Sequence, residues 1–317
     1  MTGAHPSRRT RPRLGLALGG GGARGFAHIG VIRALLRAGI PIDVMAGTSM
    51  GAIVAVAFAL GDPERSGIID RLEQGHPVVA TPLPPRYPGQ QESLLARVRR
   101  LVMTERILTS NIRGWGTPLL DVMPLLTELT RGLRLEDAPI PVGVVATDLE
   151  RGERALLTRG DAALAAMASA ALPLVFPPVR FEGRLLIDGG FVELVPVNAA
   201  RELGADVVVA VDVATEATGP VNNGLEALIR AAAIASRQHT RMLLRRADLV
   251  LRPEFPVPVD TLDFGRARYA IEAGLRAGRE AVERVRALLE GADGTGRREA
   301  PPAESTTVWE RGSTSSS

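Results

Sequence analysis

Residues 42–52 read Ile42-Asp43-Val44-Met45-Ala46-Gly47-Thr48-Ser49-Met50-Gly51-Ala52, an apolar run that breaks at glycine, serine and glycine and resumes as an alanine- and valine-rich segment. The pattern predicts a strand over 42–46, a tight turn, and a helix beginning near Met50. Gly47 and Gly51, two residues either side of Ser49, let a strained turn form without side-chain clash. The Ser49 hydroxyl then projects at a helix N-terminus, where free backbone amides and the helix dipole favour negative charge. In this strand–turn–helix setting the Gly-x-Ser-x-Gly pentapeptide reads as a nucleophile elbow; without that setting it would be an ordinary turn.

Working outward, an earlier apolar run at 14–18 ends in Gly19-Gly20-Gly21-Gly22-Ala23-Arg24-Gly25. Helical spacing over 27–38 follows, with Ile29, Ile32, Leu35 and Leu36 on one face and Gly39 as the cap. The first sixty residues therefore form a βαβα unit, which implies a parallel sheet with right-handed crossovers. The glycine loop can turn several N–H groups toward an oxyanion, because glycine tolerates left-handed backbone angles. Gly20 to Gly25 also satisfies the dinucleotide-binding pattern Gly-x-Gly-x-x-Gly, which wants an acidic residue at the end of the second strand. Asp43 begins that strand instead, and the strand runs on into Ser49, which favours a hydrolase.

Farther along, the patterns predict strands at 141–147 and 154–158 and a small-residue helix over 162–171 that stops at Pro173. A hairpin follows, with arms at 179–181 and 184–187 around Glu182-Gly183. Its second arm delivers Asp188-Gly189-Gly190 to the carboxyl edge of the sheet, where ligands of open α/β folds bind. Spacing alone leaves Asp188 open between a general base and a turn aspartate. A helix over 196–203, a buried strand over 206–213 and amphipathic helices over 225–246 and 266–289 complete the domain. Ser49, Asp188 and His239 occur in the chain order of a Ser-His-Asp esterase. His239, however, lies inside a long helical pattern, which suits a surface histidine better than a catalytic one.

Composition narrows the chemistry. The chain has 317 residues, 45% of them hydrophobic, enough for one large core. We expect a disordered basic arm at 1–13, one catalytic domain at 14–290, and a disordered Gly-, Glu-, Thr- and Ser-rich tail at 291–317. A proline-rich stretch at 76–88 and an amphipathic, arginine-bearing helix at 93–108 form an insertion or lid within 76–118. That helix reads either as a contact for anionic lipid or as an ordinary surface helix. All 38 basic residues are arginine, which removes a Walker A lysine, a Schiff-base lysine and a Ser–Lys pair. There is no cysteine, hence no disulfide framework or thiolate nucleophile. His5, His28, His76 and His239 lie far apart, so neither a metal site nor another cofactor is expected.

The arginine-rich start at 7–11 is followed by an apolar run too short for an export signal. The uncharged stretch 44–60 is interrupted by Gly47, Thr48, Ser49 and Gly51 and reads as strand, turn and helix rather than a membrane span. A cytoplasmic location, with peripheral membrane contact left open, is the expectation. The arginines are scattered among balancing acids with few aromatics, which argues against nucleic-acid binding.

Together these segments resemble the patatin-like phospholipase family, specifically its bacterial members. Residues 16–25 resemble the family's oxyanion loop, with Arg24 at its usual basic position. Residues 46–52 resemble the nucleophile segment, and Asp188-Gly189-Gly190 resembles the Asp-Gly-Gly or Asp-Gly-Ala box. Residues 168–173 with Phe176-Pro177-Pro178 are similar to the segment upstream of that box.

The resemblance implies a three-layer α/β/α sandwich with a mostly parallel central sheet. It further implies a Ser49–Asp188 dyad without histidine, an oxyanion hole drawn from Gly20, Gly21, Gly22, Arg24 and Gly25, and Gly47, Gly51, Gly189 and Gly190 as motif support. The substrate it implies is a phospholipid, lysophospholipid or other lipid ester, the alternative being a lipid-binding or regulatory module with little turnover. Relatives often carry asparagine a few residues beyond the box, where this sequence has Glu193.

Overall fold

The computed structural model of the chain describes residues 11–61, 122–216 and 218–294. The insertion expected at 76–118, with its helix at 93–108, lies outside the described residues.

Eight strands make one sheet in the order β5-β6-β3-β2-β1-β7-β8, with β4 paired to β3. β1 (Leu14–Leu18), β2 (Val44–Thr48), β3 (Val142–Asp148), β7 (Val207–Val211) and β8 (Leu249–Leu251) pair in parallel. β4 (Glu153–Leu157), β5 (Val179–Phe181) and β6 (Arg184–Asp188) pair antiparallel. β1, β2, β3 and β7 are buried at every position, which is why they read as unbroken apolar runs rather than alternating ones: helices cover both faces.

On one face Leu14, Leu16, Leu18, Met45, Val144 and Val209 pack beneath α1 (Ala27–Arg37), α2 (Met50–Leu60), α4 (Ala162–Ala170) and α7 (Ala267–Gly294). α3 (Met123–Thr130) joins α4 and α2 at the flank. The other face, carrying Ala17, Val44, Ala46, Val208 and Ala210, is covered by α5 (Val197–Glu202) and by Leu244 near the end of α6 (Gly224–Leu244). This is the expected α/β/α sandwich with a mostly parallel sheet. No helix among the described residues is long and apolar enough to cross a membrane.

Both ends of the described chain are tied to the body of the fold. Arg11 and Arg13, placed by sequence in the disordered arm, are anchored: Arg11 grips Asp43 through two bonds of 2.7 Å, and the Arg13 amide donates to Asp206 at 2.9 Å. α7 runs to Gly294 rather than stopping at 289, because Leu288, Leu289 and Ala292 still pack against the core.

Candidate active site

The long strand β3 brings the two candidate catalytic residues together. Its residues Met45-paired Val142 through Thr48-paired Val145 bond to β2, while Ala146, Thr147 and Asp148 bond to β6. β4 pairs along 144–148 as well. A strand has only two edges, so β2 and β6 must share one edge of β3 and approach each other from opposite directions. β2 ends at Thr48 opposite Val145, and β6 ends at Asp188 opposite the next residue, Ala146. The carboxyl ends of two strands thus meet, and Ser49 and Asp188 follow from that meeting.

Ser49 has φ 55° and ψ −125°, a left-handed conformation costing a non-glycine residue about 1–3 kcal/mol. Its surroundings hold it there. The Ser49 amide donates to Ser169 Oγ at 2.8 Å, and the Ser169 hydroxyl donates to Val145 O at 2.6 Å. Side chains are barred from the elbow's flanks: a Cβ on Gly47 would lie 2.4 Å from the Gly51 carbonyl oxygen, and one on Gly51 would lie 2.0 Å from the Leu18 carbonyl oxygen. At the helix start the Ala52 and Ile53 amides are taken up by Ser49 O.

Asp188 is buried, and burial pushes its carboxyl up to about 6 from an ordinary 3.8. A side-chain hydrogen bond with Ser49 and one from the Gly190 amide partly offset that rise, the latter 2.7 Å long to Oδ1. Its backbone is fixed as well, through Asp188 N to Ala171 O at 3.0 Å and Thr147 Oγ1 to Asp188 O at 2.8 Å.

The glycine loop closes the third side. Gly20 would place a Cβ only 3.2 Å from that of Ser49, so its backbone lies against the elbow. The expected set of amide donors needs correction, however. The Gly20 amide donates to Leu194 O at 2.9 Å, Gly19 to Val211 O at 3.0 Å, and Ala23 to Thr261 O at 2.8 Å. Among the described residues nothing accepts from the Gly21 or Gly22 amides, and Gly22, at φ 58°, lines the cleft beside Ser49. Among the described residues the loop's free N–H groups are therefore those of Gly21 and Gly22. Gly25 packs against Met50, the residue after the candidate nucleophile.

Arg24 secures the loop from within. Its side chain turns inward, donating to Val213 O at 3.1 Å, Val259 O at 2.6 Å and Thr261 Oγ1 at 3.5 Å, and so ties the loop to residues 259–261. It thereby steadies the loop.

His28 braces the loop from beneath, fully buried with Nε2 2.7 Å from Gly19 O. Burial holds its ring down to about 4, so it is neutral and Nε2 carries the donated proton. His239 is exposed on α6. Glu193 is buried and paired with Arg154 at 2.8 Å; its carboxylate also accepts the Asn198 amide at 2.8 Å and its carbonyl the Thr48 hydroxyl at 2.8 Å. It stands behind the elbow as a structural support. Among the described residues no group of His, Cys, Asp or Glu side chains converges as metal ligands.

Ser49 and Asp188 open into a cleft of about 1100 Å³, counting the space open to solvent at its mouth. Phe26, Ile29, Met50, Ile53, Leu126 and Phe176 are among its walls, and Thr261 is the only other polar side chain on the described lining. Sequence reasoning gave no role to Ser169, although a lone hydroxyl in an otherwise alanine- and methionine-lined buried helix was its visible signal.

Residues 16–201 match the family described as patatin-like phospholipase, a span that takes in the glycine loop, the elbow and the Asp-Gly-Gly segment. The chain belongs to the patatin-like phospholipase family. An uncharacterized NTE family protein of Mycobacterium tuberculosis is 34% identical over 213 residues, covering 67% of this chain and 52% of that protein. Patatin-like phospholipase domain-containing protein 7 of mouse is 28% identical over 84% of this chain and 20% of its own length. Lysophospholipase NTE1 of Pyricularia oryzae is 28% identical over 86% of this chain and 18% of its own. The chain thus spans about half the length of the mycobacterial relative and about a fifth of the other two. The crystal structure of VipD from Legionella pneumophila aligns over 87% of this chain and 67% of that one, at TM-score 0.43 and 16% identity. In this patatin-like chain the matched span includes both β2 and β6.

Proposed function

We propose that this protein is a serine acyl-hydrolase that cleaves lipid carboxylic esters, with Ser49 as nucleophile and Asp188 as its base. The observation that carries the reading is a serine held in a strained elbow against a buried carboxyl whose pKa is about 6, both opening into an apolar cleft. A carboxylate near its ordinary pKa is a weak base for a hydroxyl; burial raises its basicity while leaving most of it ionised at neutral pH.

As Ser49 Oγ bonds to the ester carbonyl carbon, its proton passes to Asp188, and the oxyanion forms against the Gly21 and Gly22 amides. The C–O bond to the leaving alcohol then breaks, and that alcohol takes the proton from Asp188. Water attacks the acyl-serine, Asp188 accepts and returns one proton, and a fatty acid leaves with Ser49 restored. The cleft walls suit an acyl chain, and the lysophospholipase among the relatives supports a phospholipid or lysophospholipid as donor. A Ser-His-Asp triad through His239 finds no support, since that ring is on an exposed helix. A binding module without turnover would have no need of the strain at Ser49.

The test is fatty-acid release from p-nitrophenyl butyrate and from a mixed lipid extract by wild type and Ser49→Ala. We expect turnover on both and a loss of about 10³-fold or more in the variant. Equal release by the two proteins would sink the proposal.

A further inference from the structure

The crossover from β7 to β8 is longer than the sheet it must span. α6 has 21 residues, about 31 Å at ~1.5 Å per residue, whereas a five-residue strand covers only ~17 Å. Two bonds fix where the excess lies. Ser236 Oγ donates to Gly190 O at 2.6 Å, and Arg237 pairs with Asp212, just past the end of β7, at 2.9 Å. Residues 236 and 237 are therefore level with the carboxyl edge of the sheet, and the turns before them extend roughly 18 Å beyond it. The buried residues of α6, Thr240, Leu243 and Leu244, all follow these anchors.

The overhang is apolar where a soluble helix would be polar. Leu228 is 68% exposed, and Val221, Ile229 and Ile234 are 45–52% exposed. Across 218–236 the only charged residues are Glu226 and Arg230. Both are occupied locally, the Glu226 carboxylate accepting from Asn222 and the Arg230 guanidinium donating to the carbonyls of Thr218 and Gly219. The same sheet edge carries the exposed side chains of Phe191, in the turn after Asp188, and of Leu172 and Leu262 on the rim of the cleft. Large apolar side chains left exposed on the edge that carries a cleft fit a site of contact with another phase or partner.

We infer that the first three turns of α6 are the surface by which this protein seats on a neutral lipid aggregate, presenting the cleft mouth to its substrate. The inference rests on the proposed function, since it is a lipid ester, insoluble in water, that gives the catalytic edge a reason to meet such a surface. With no net charge in the overhang, attachment comes from apolar insertion and does not need anionic lipid.

The experiment uses the full chain carrying Ser49→Ala, so that vesicles are not digested, with and without L228S/I229S. Co-sedimentation with phosphatidylcholine vesicles should weaken at least tenfold in the triple variant, and adding phosphatidylglycerol to the vesicles should not restore it. In the Ser49 background, L228S/I229S should lose turnover on vesicle phospholipid while p-nitrophenyl butyrate turnover changes less than twofold. Undiminished sedimentation overturns the inference, as does binding that needs phosphatidylglycerol and is lost in high salt. So does a wild-type dimer that the double substitution splits without affecting sedimentation, which would make the face a contact between copies. Sedimentation that depends on Leu228 and Ile229 in a chain that hydrolyses no ester supports the surface and refutes the proposed activity.

Discussion

Asp188→Asn is expected to lower kcat/KM on a soluble ester by about 10³- to 10⁴-fold, because the amide keeps the shape of the carboxyl but cannot accept the Ser49 proton. His239→Ala should leave the rate within twofold. In the wild type, kcat/KM should rise with pH as Asp188 ionises and level off above an apparent pKa of about 6. The same substitution should stabilise the fold by an amount that depends on pH. Asp188 has a folded-state pKa of about 6, above the unfolded value near 3.9. Below about pH 4 the group is protonated in both states and costs nothing; as pH rises through 6 the buried charge removes up to about 3 kcal/mol. Asparagine carries no such penalty. Thermal melts should therefore show Asp188→Asn more stable than wild type at pH 8, with the gap closing toward pH 4. A gap of constant size across that range would mean that the charge is not its cause.

Gly22→Ala is expected to be the most damaging change in the loop. Its φ of 58° disfavours any L side chain, and the added Cβ would lie 2.1 Å from the Thr261 carbonyl oxygen. Thr261 cannot yield easily, since its carbonyl accepts the Ala23 amide and its hydroxyl meets Arg24. The loop must move instead, carrying the Gly21 and Gly22 amides away from the position of the oxyanion. We expect kcat to fall about 10²- to 10³-fold, the usual effect of losing one oxyanion donor, with KM for p-nitrophenyl butyrate little changed. A variant with native kcat would move the oxyanion donors elsewhere.

Much of this architecture was legible because its signals are local. The hairpin was readable at Glu182-Gly183, where both residues adopt positive φ, and the elbow at Gly47 and Gly51, where close packing admits no side chain. The buried parallel strands announced themselves as apolar runs. What escaped is what depends on residues far apart in the chain. That β2 and β6 share one edge of β3 cannot be seen in either strand, yet it is what sets Ser49 beside Asp188. Nor could the glycine run say which of its amides stay free, because the Gly20 amide is claimed by Leu194, 174 positions away. Nor could it say what Arg24 would bond to, since its acceptors lie at 213, 259 and 261.

The most direct test of the Ser49–Asp188 pair is labelling with a fluorophosphonate, followed by peptide mapping of the adduct. Wild type and His239→Ala should carry the label on Ser49 at similar rates, and Asp188→Asn should label far more slowly. A label on another residue would contradict the account, as would an Asp188→Asn protein that reacts like wild type while His239→Ala does not.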